Sequence, residues 1–351
     1  MSESNGKLRV AVFGAGLAWR PHCDSLRELA DRVEVAWLVG RSLDRVRDQA
    51  AVFPGARATT SIDDVLADRS VRVALILTPP NTHLDLVQQL ARRGIHVLVE
   101  KPLEVDTRRA AAMVQICRQH AVRLGVVLQH RMRPAAQRLK RLLDLGALGT
   151  LTSGAVDVRW WRPQSYYDDP GRGTRARDGG GVLMTQAIHT LDLFQHLAGQ
   201  PAEVLAFAAT SAAHHMECED VVAAALRMPG GALVTLNATT AAYPGFAERI
   251  ELSGTLGTAT LVAGKVDIRW LDGREESCGE GAALGAGADP MAFDHHAHQA
   301  LIADFVDAVA NEHEPAASGA SALAVHRLID ALLEASAGRR LVTLTPDKEI
   351  R

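Results

Sequence analysis

Short apolar runs alternate with amphipathic stretches through the first third of the chain. Residues 8–13, 33–39, 73–77, 95–99 and 123–128 are dominated by Val, Leu, Ile and Ala, as in strands buried on both faces. Helical spacing fills the gaps. One pattern follows residue 16. A second opens at Ser61-Ile62-Asp63-Asp64-Val65 with serine in the capping position, a third covers 84–93 and closes on Gly94, and a fourth spans 107–120. Strands alternating with helices predict an α/β fold with a parallel, doubly wound sheet.

The rhythm changes after Leu128. An Arg-rich amphipathic helix over 135–144 precedes strands at 151–160, 204–209, 220–228, 232–239, 247–253, 257–262 and 265–270. Turns such as Pro229-Gly230-Gly231 and Gly254-Thr255-Leu256-Gly257 join several of them. A largely antiparallel, open sheet in an α+β domain is expected. With few helices to cover it, one face should be exposed and available for burial in an oligomer. Helices are expected over 293–311 and 321–337, and the Gly/Ala-rich segment 276–290 reads as a mobile loop.

Composition narrows the function classes. A net charge of -3 gives no basic footprint for nucleic acid. No apolar run approaches the ~20 residues of a membrane span, and the polar start of the chain does not resemble a signal peptide. Four cysteines (Cys23, Cys117, Cys218, Cys278) without a C-x-x-C pair suit reduced thiols and a cytoplasmic location.

The chemistry gathers at strand ends. The first strand runs into Gly14-Ala15-Gly16-Leu17-Ala18, the strand–glycine turn–helix context of a dinucleotide site. Trp19 occupies the third glycine position, which predicts looser helix–strand packing or a different ligand approach. The second strand ends in Gly40-Arg41-Ser42 with no carboxylate for a ribose 2′-OH. A guanidinium and a hydroxyl there suit a 2′-phosphate, so NADP(H) is favoured and NAD(H) possible. Thr78-Pro79-Pro80-Asn81 and His83 form a neighbouring crevice lip, His83 reading first as a helix cap. The fourth main strand stops on Glu100-Lys101-Pro102, which sets Lys101 where cofactor and substrate would meet. The domains expected are a nucleotide-binding domain over 1–126 and an α+β domain over 127–351, its last helices packing back toward the first.

In the second domain, Asp178-Gly179-Gly180-Gly181 opens a helix carrying Thr185, His189 and Asp192. Thr185 and His189 are expected on one face, with Asp192 orienting the imidazole as a general base. Arg162, Tyr166 and Tyr167 offer donors and aromatic faces to a sugar-like or carboxylated ligand. Two histidine groups, Asp294-His295-His296-Ala297-His298 and His214-His215, lack a matching ligand set in the sequence, so no metal site is expected.

G-A-G, T-P-P-N-T-H, E-K-P and D-G-G-G-V-L-M-T-Q-A-I-H, in this order and spacing, resemble the Gfo/Idh/MocA oxidoreductases across nearly the whole chain. The resemblance implies a Rossmann domain, an open-sheet α+β domain and a homodimer or homotetramer packed through that sheet. It implies hydride transfer at a secondary alcohol of a sugar, cyclitol or related polyhydroxylated substrate, with Lys101 and His189 at the reacting carbinol. Thr185 departs from the family pattern, which has Asp or Asn there, and shifts proton transfer onto His189, Lys101 or Tyr167. Gln129-His130 departs too, where family members often have Asn before Arg131. NAD-dependent glycoside hydrolysis and non-catalytic nucleotide sensing are the alternatives on the same architecture; the presence of Lys101 favours the oxidoreductase.

Overall fold

The computed structural model describes residues 6–16, 18–281 and 295–345. The chain folds as two units, Met1–Gln129 with Phe293–Ala322, and His130–Ala292 with Leu323–Arg351.

The first unit alternates β1 (Leu8–Phe13), α1 (Trp19–Glu28), β2 (Val33–Val39), α2 (Leu43–Ala50), β3 (Arg57–Thr59), α3 (Ile62–Ala67), β4 (Val71–Ile76), α4 (His83–Arg92), β5 (His96–Val99), α5 (Thr107–Gln119) and β6 (Leu124–Val126). Its sheet has the order β3-β2-β1-β4-β5-β6, and every pair is parallel. Strand order reverses between β1 and β4, the place where such sheets open a ligand crevice. Side chains from Val10 to Phe13 and from Val73 to Ile76 are almost fully buried, as two-sided burial requires. The Ser61 hydroxyl caps α3 by accepting from Asp63 N–H, and Gly94 closes α4 at φ +70°. The short edge strand β3 carries no apolar run, which hid it in the sequence.

The second unit contains α6 (Pro134–Asp144), β7 (Leu151–Arg159), the short helices α7 (Gln164–Tyr167) and α8 (Arg175–Asp178), a π-helical turn (Leu183–Ala187) and α9 (Ile188–Ala198). Strands β8 (Glu203–Ala209), β9 (Val221–Arg227), β10 (Leu233–Thr239), β11 (Arg249–Gly254), β12 (Gly257–Val262), β13 (Gly264–Trp270) and β14 (Glu275–Glu280) follow. After α10 (His296–Ala310) and α11 (Gly319–Gly338), β15 (Val342–Thr343) completes a nine-stranded sheet, β14-β13-β12-β11-β7-β10-β9-β8-β15. The sheet is mixed: β10 pairs parallel with β7, because the long segment that carries α9 returns the chain across the sheet. The remaining pairs are antiparallel. Residues 275–280 form an edge strand on β13 and not the expected loop. They are polar and largely exposed, so no apolar alternation announced them. The rest of that expected loop, 282–290, lies outside the described residues.

Helix α10 belongs to the first unit, where it packs on α1 and β5. Phe305 lies against Gly125 so closely that an added Cβ there would stand 2.6 Å from the ring, which explains a glycine inside β6.

Three histidines couple stability to pH. Burial, with Arg72 and Arg123 nearby, pushes His96 down to about 4, and its Nδ1 accepts from Arg123 N–H at 2.9 Å. His196 is pushed down to about 4, first by burial and then by Arg131. Burial also lowers the fully enclosed His83. Because each folded pKa is depressed, the unfolded chain binds more protons in this range, and stability falls as pH drops from about 6.5 toward about 4. Thermal melts should show Tm declining from about pH 7 to about pH 5. His96→Gln should flatten that slope; an unchanged slope would remove His96 from the account.

Candidate active site

In the first unit the crevice turns leave adjacent strands. Gly14 follows β1 at φ +95°, and an added Cβ would lie 3.1 Å from the Leu77 carbonyl and 3.2 Å from Thr78 Cγ2. No atom lies within 4 Å of a Cβ built on Gly16. Gly14 therefore serves the tight turn and Gly16 leaves an open flank, which fits a pyrophosphate approaching the backbone. Ala15 and Ala18 are half-buried and Gly16 is exposed; Leu17 lies outside the described residues. Trp19 is itself well packed. It is 6% exposed, its indole N–H donates to Gln49, and its ring meets Phe53 edge-on at 6.0 Å. The bulky residue packs toward α2, away from the glycine flank.

Arg41 and Ser42 are exposed beyond β2, with no carboxylate at the strand end. Pro79 and Asn81 are exposed, Thr78 and Pro80 half-buried, and the Thr78 and Thr82 hydroxyls share a 2.7 Å hydrogen bond. His83, expected as a helix cap or cofactor contact, turns inward. It is completely buried, with its ring nitrogens 3.0 Å from Leu103 O and 2.8 Å from Thr78 O. The Glu104 carboxylate accepts from Leu84 N–H at 3.3 Å, adding a second stitch. Imidazole and carboxylate together join the turn after β4 to the turn after β5.

That second turn carries Lys101, half-buried, preceding a cis peptide to Pro102. Glu100 Oε2 accepts from the Lys101 backbone N–H at 3.1 Å, and Oε1 lies 2.7 Å from His22 Nε2. Burial works against ionisation of Glu100, but His22, Lys101 and His298 outweigh it and hold the carboxyl below its ordinary range. His22, Glu100 and His298 place their ligand-type atoms within 4.8 Å of one another. His298 therefore has the matching set that the sequence did not reveal. The direct His22–Glu100 hydrogen bond makes this cluster an anchor for the lysine turn. His22 sits in α1, far from E-K-P in sequence, and only the fold joins them.

In the second unit, Gly181 touches the loop before β9. An added Cβ would fall 1.8 Å from the Glu219 carbonyl oxygen, and the Glu219 carboxylate accepts from Leu183 N–H at 3.2 Å. Glu219, missed in the sequence, thus caps the start of the π-helical turn. Within that turn Thr185 is half-buried between buried neighbours, and its hydroxyl donates to Gly181 O at 2.7 Å. The segment from 185 to 189 crosses from π to α geometry, so the one-turn spacing expected of a plain α-helix does not hold.

His189 is 7% exposed and stacks on His130 with centroids 4.8 Å apart and planes at 23°. The expected orienting role of Asp192 is corrected: both its oxygens accept from Arg131, Nε to Oδ2 at 2.7 Å and Nη2 to Oδ1. Burial pushes the Asp192 carboxyl up against the pull of Arg131. Tyr167 is buried; its hydroxyl is 2.7 Å from Thr240 Oγ1, and burial drives its pKa to about 12, which counts against the expected role as a base. Tyr166 remains half-exposed. Arg162 is 3% exposed; its Nη1 donates to Trp161 O at 2.7 Å, and its guanidinium lies over the Trp160 and Tyr166 rings at 5.3 and 5.6 Å. His214 is spent between Asp220 at 2.6 Å and Arg162 O at 2.8 Å.

Comparison with known proteins agrees with this layout. Residues 8–128 match the oxidoreductase family with an NAD-binding Rossmann fold, and residues 136–260 match the GFO/IDH/MocA C-terminal domain. Inositol 2-dehydrogenase of Rhizobium meliloti is 25% identical over 343 residues, 96% of this chain and 99% of that protein. D-apiose dehydrogenase of Paraburkholderia graminis is 26% identical over 95% of this chain and 89% of its own length. The crystal structure of the WlbA dehydrogenase from Bordetella pertussis, in complex with NADH and UDP-GlcNAcA, is 28% identical and superposes with a TM-score of 0.82 over 97% of this chain and 100% of that one. The glycine turn, the E-K-P turn and both domain matches make this chain a member of the Gfo/Idh/MocA family of NAD-binding oxidoreductases.

Proposed function

We propose that this oxidoreductase interconverts a secondary alcohol and a ketone on a polyhydroxylated substrate such as a sugar, a cyclitol or a derivative of either. The observation that carries the reading is Lys101 at the carboxyl end of β5, beside the strand-order reversal and anchored through Glu100 and His22. Relatives named for inositol and apiose support the substrate class. Bound NAD(P) would supply the hydride acceptor or donor, held by Gly14 to Gly16, Arg41, Ser42 and the Thr78–Asn81 turn. Lys101 is assigned the hydrogen bond that stabilises the developing alkoxide. His189 is assigned the carbinol proton, with Thr185, Tyr166 and Arg162 as substrate contacts. Cofactor reduction by the purified protein across a panel of sugars and cyclitols tests the reading, and no reduction with any of them would refute it.

NADP(H) is the preferred cofactor in this proposal, because Arg41 and Ser42 replace the carboxylate at the end of β2. Arg41→Asp should move the NADP+ to NAD+ ratio of kcat/KM about tenfold or more toward NAD+; an unmoved ratio would discard the role of Arg41.

The protein is further proposed to work in the cytoplasm as a homodimer or homotetramer. Its four cysteines are free thiols, and among the described residues no helix is long and apolar enough to cross a membrane. On the outer face of β8 and β10, Leu205, Phe207 and Leu233 are 48%, 77% and 58% exposed. That apolar face fits a second copy of the chain, and a monomeric mass in sedimentation at micromolar concentration would refute it.

A further inference from the structure

His130 and His189 lie in the same unit, one at the start of the chain's second unit and the other on α9. Their rings stack at 4.8 Å and 23°. His130 is also clamped at its ring edge. Arg133 Nη2 lies 2.8 Å from His130 Nε2, and Arg133 is itself held by Glu248 Oε1 at 2.6 Å and Ala263 O at 3.1 Å. A guanidinium has no lone pair and only donates. His130 Nε2 must therefore accept, which leaves the ring proton on Nδ1, 3.9 Å from Glu248 Oε1. Protonating Nε2 would break the bond from Arg133 and set an imidazolium against a guanidinium. His130 is thus a ring fixed in plane and held neutral.

We propose that His130 is a positioning residue for His189: a neutral aromatic platform that sets the plane of the His189 imidazole and favours its protonated form. The inference rests on the reading of His189 as the group that takes the carbinol proton. When that proton arrives, His189 becomes a cation against a neutral π face, an attractive arrangement. Were His130 charged, the same stack would oppose the transfer. Among the neighbouring charged groups, Arg131 pairs with Asp192 and Arg133 with Glu248.

Three variants of the full-length protein test this. His130→Asn, which removes the ring, should lower kcat about tenfold while KM and NAD(P)H affinity stay unchanged. His130→Phe, which keeps a flat neutral face, should recover most of that loss. Arg133→Met, which lets His130 take a proton, should lose kcat selectively at acidic pH. Equal kcat in wild type and His130→Asn, or a Phe variant as poor as the Asn variant, would overturn the proposal. Imidazole NMR titration separates this from failure of the catalytic reading, since it needs no turnover. The His189 midpoint should move to lower pH in His130→Asn, and an unmoved midpoint overturns the platform whether or not any substrate is turned over.

Discussion

Lys101→Met should lower kcat/KM about a thousandfold, the scale of losing a donor aimed at a developing oxyanion, while NAD(P)H affinity changes by less than about threefold. Methionine keeps the length and apolar stem of lysine and removes only the ammonium. Lys101 half-emerges from a turn whose backbone is tied by Glu100, and Glu100 is in turn held by His22. The turn therefore keeps its shape when the ammonium is lost. Cofactor titration by fluorescence, with steady-state kinetics on the best substrate of the panel, separates the two quantities. Turnover retained within about tenfold would remove Lys101 from the chemistry.

The second large effect concerns stability. Asp192→Ala leaves the Arg131 guanidinium, 7% exposed, without the carboxylate that takes two of its donors. Removing one member of a buried pair costs about 3–5 kcal/mol, a fall of roughly 6–20 °C in the melting of a unit this size. Replacing both partners, Arg131→Met with Asp192→Leu, should recover much of the loss, because no uncompensated charge then remains buried. Differential scanning calorimetry reads both, and an Asp192→Ala Tm within about 2 °C of wild type would show that the pair contributes little.

What could be read in advance followed from local rules. The glycine turn, the strand ends and E-K-P depend on backbone demands a few residues long, and each lies where the alternation of strands and helices placed it. Side-chain partners were a different matter. Asp192 looked like the support of His189, three residues away, but it pairs with Arg131 across 61 residues of chain. His83 and Tyr167 are types common in binding sites, yet each is buried and spent on packing hydrogen bonds. The histidine group that ends in His298 shows no matching ligand set in the sequence, because its spatial neighbours, His22 and Glu100, come from α1 and the end of β5. Nearness in sequence suggested contacts that the fold gave to more distant residues.

The π-helical turn at Leu183–Ala187 has a consequence for how this site could change. Deleting one residue there would restore a regular α-helical ladder and tighten the helix, a gain by any local measure. Removing a residue between Thr185 and His189 also changes the rotation of the upstream residues relative to those downstream. Thr185 would swing away from its present bearing relative to His189, while Gly181 would be driven off Glu219. A single-codon deletion in this turn is therefore expected to raise helix regularity and lower activity together. The turn holds an extra residue as an angular spacer, and its irregularity sets the direction in which Thr185 looks.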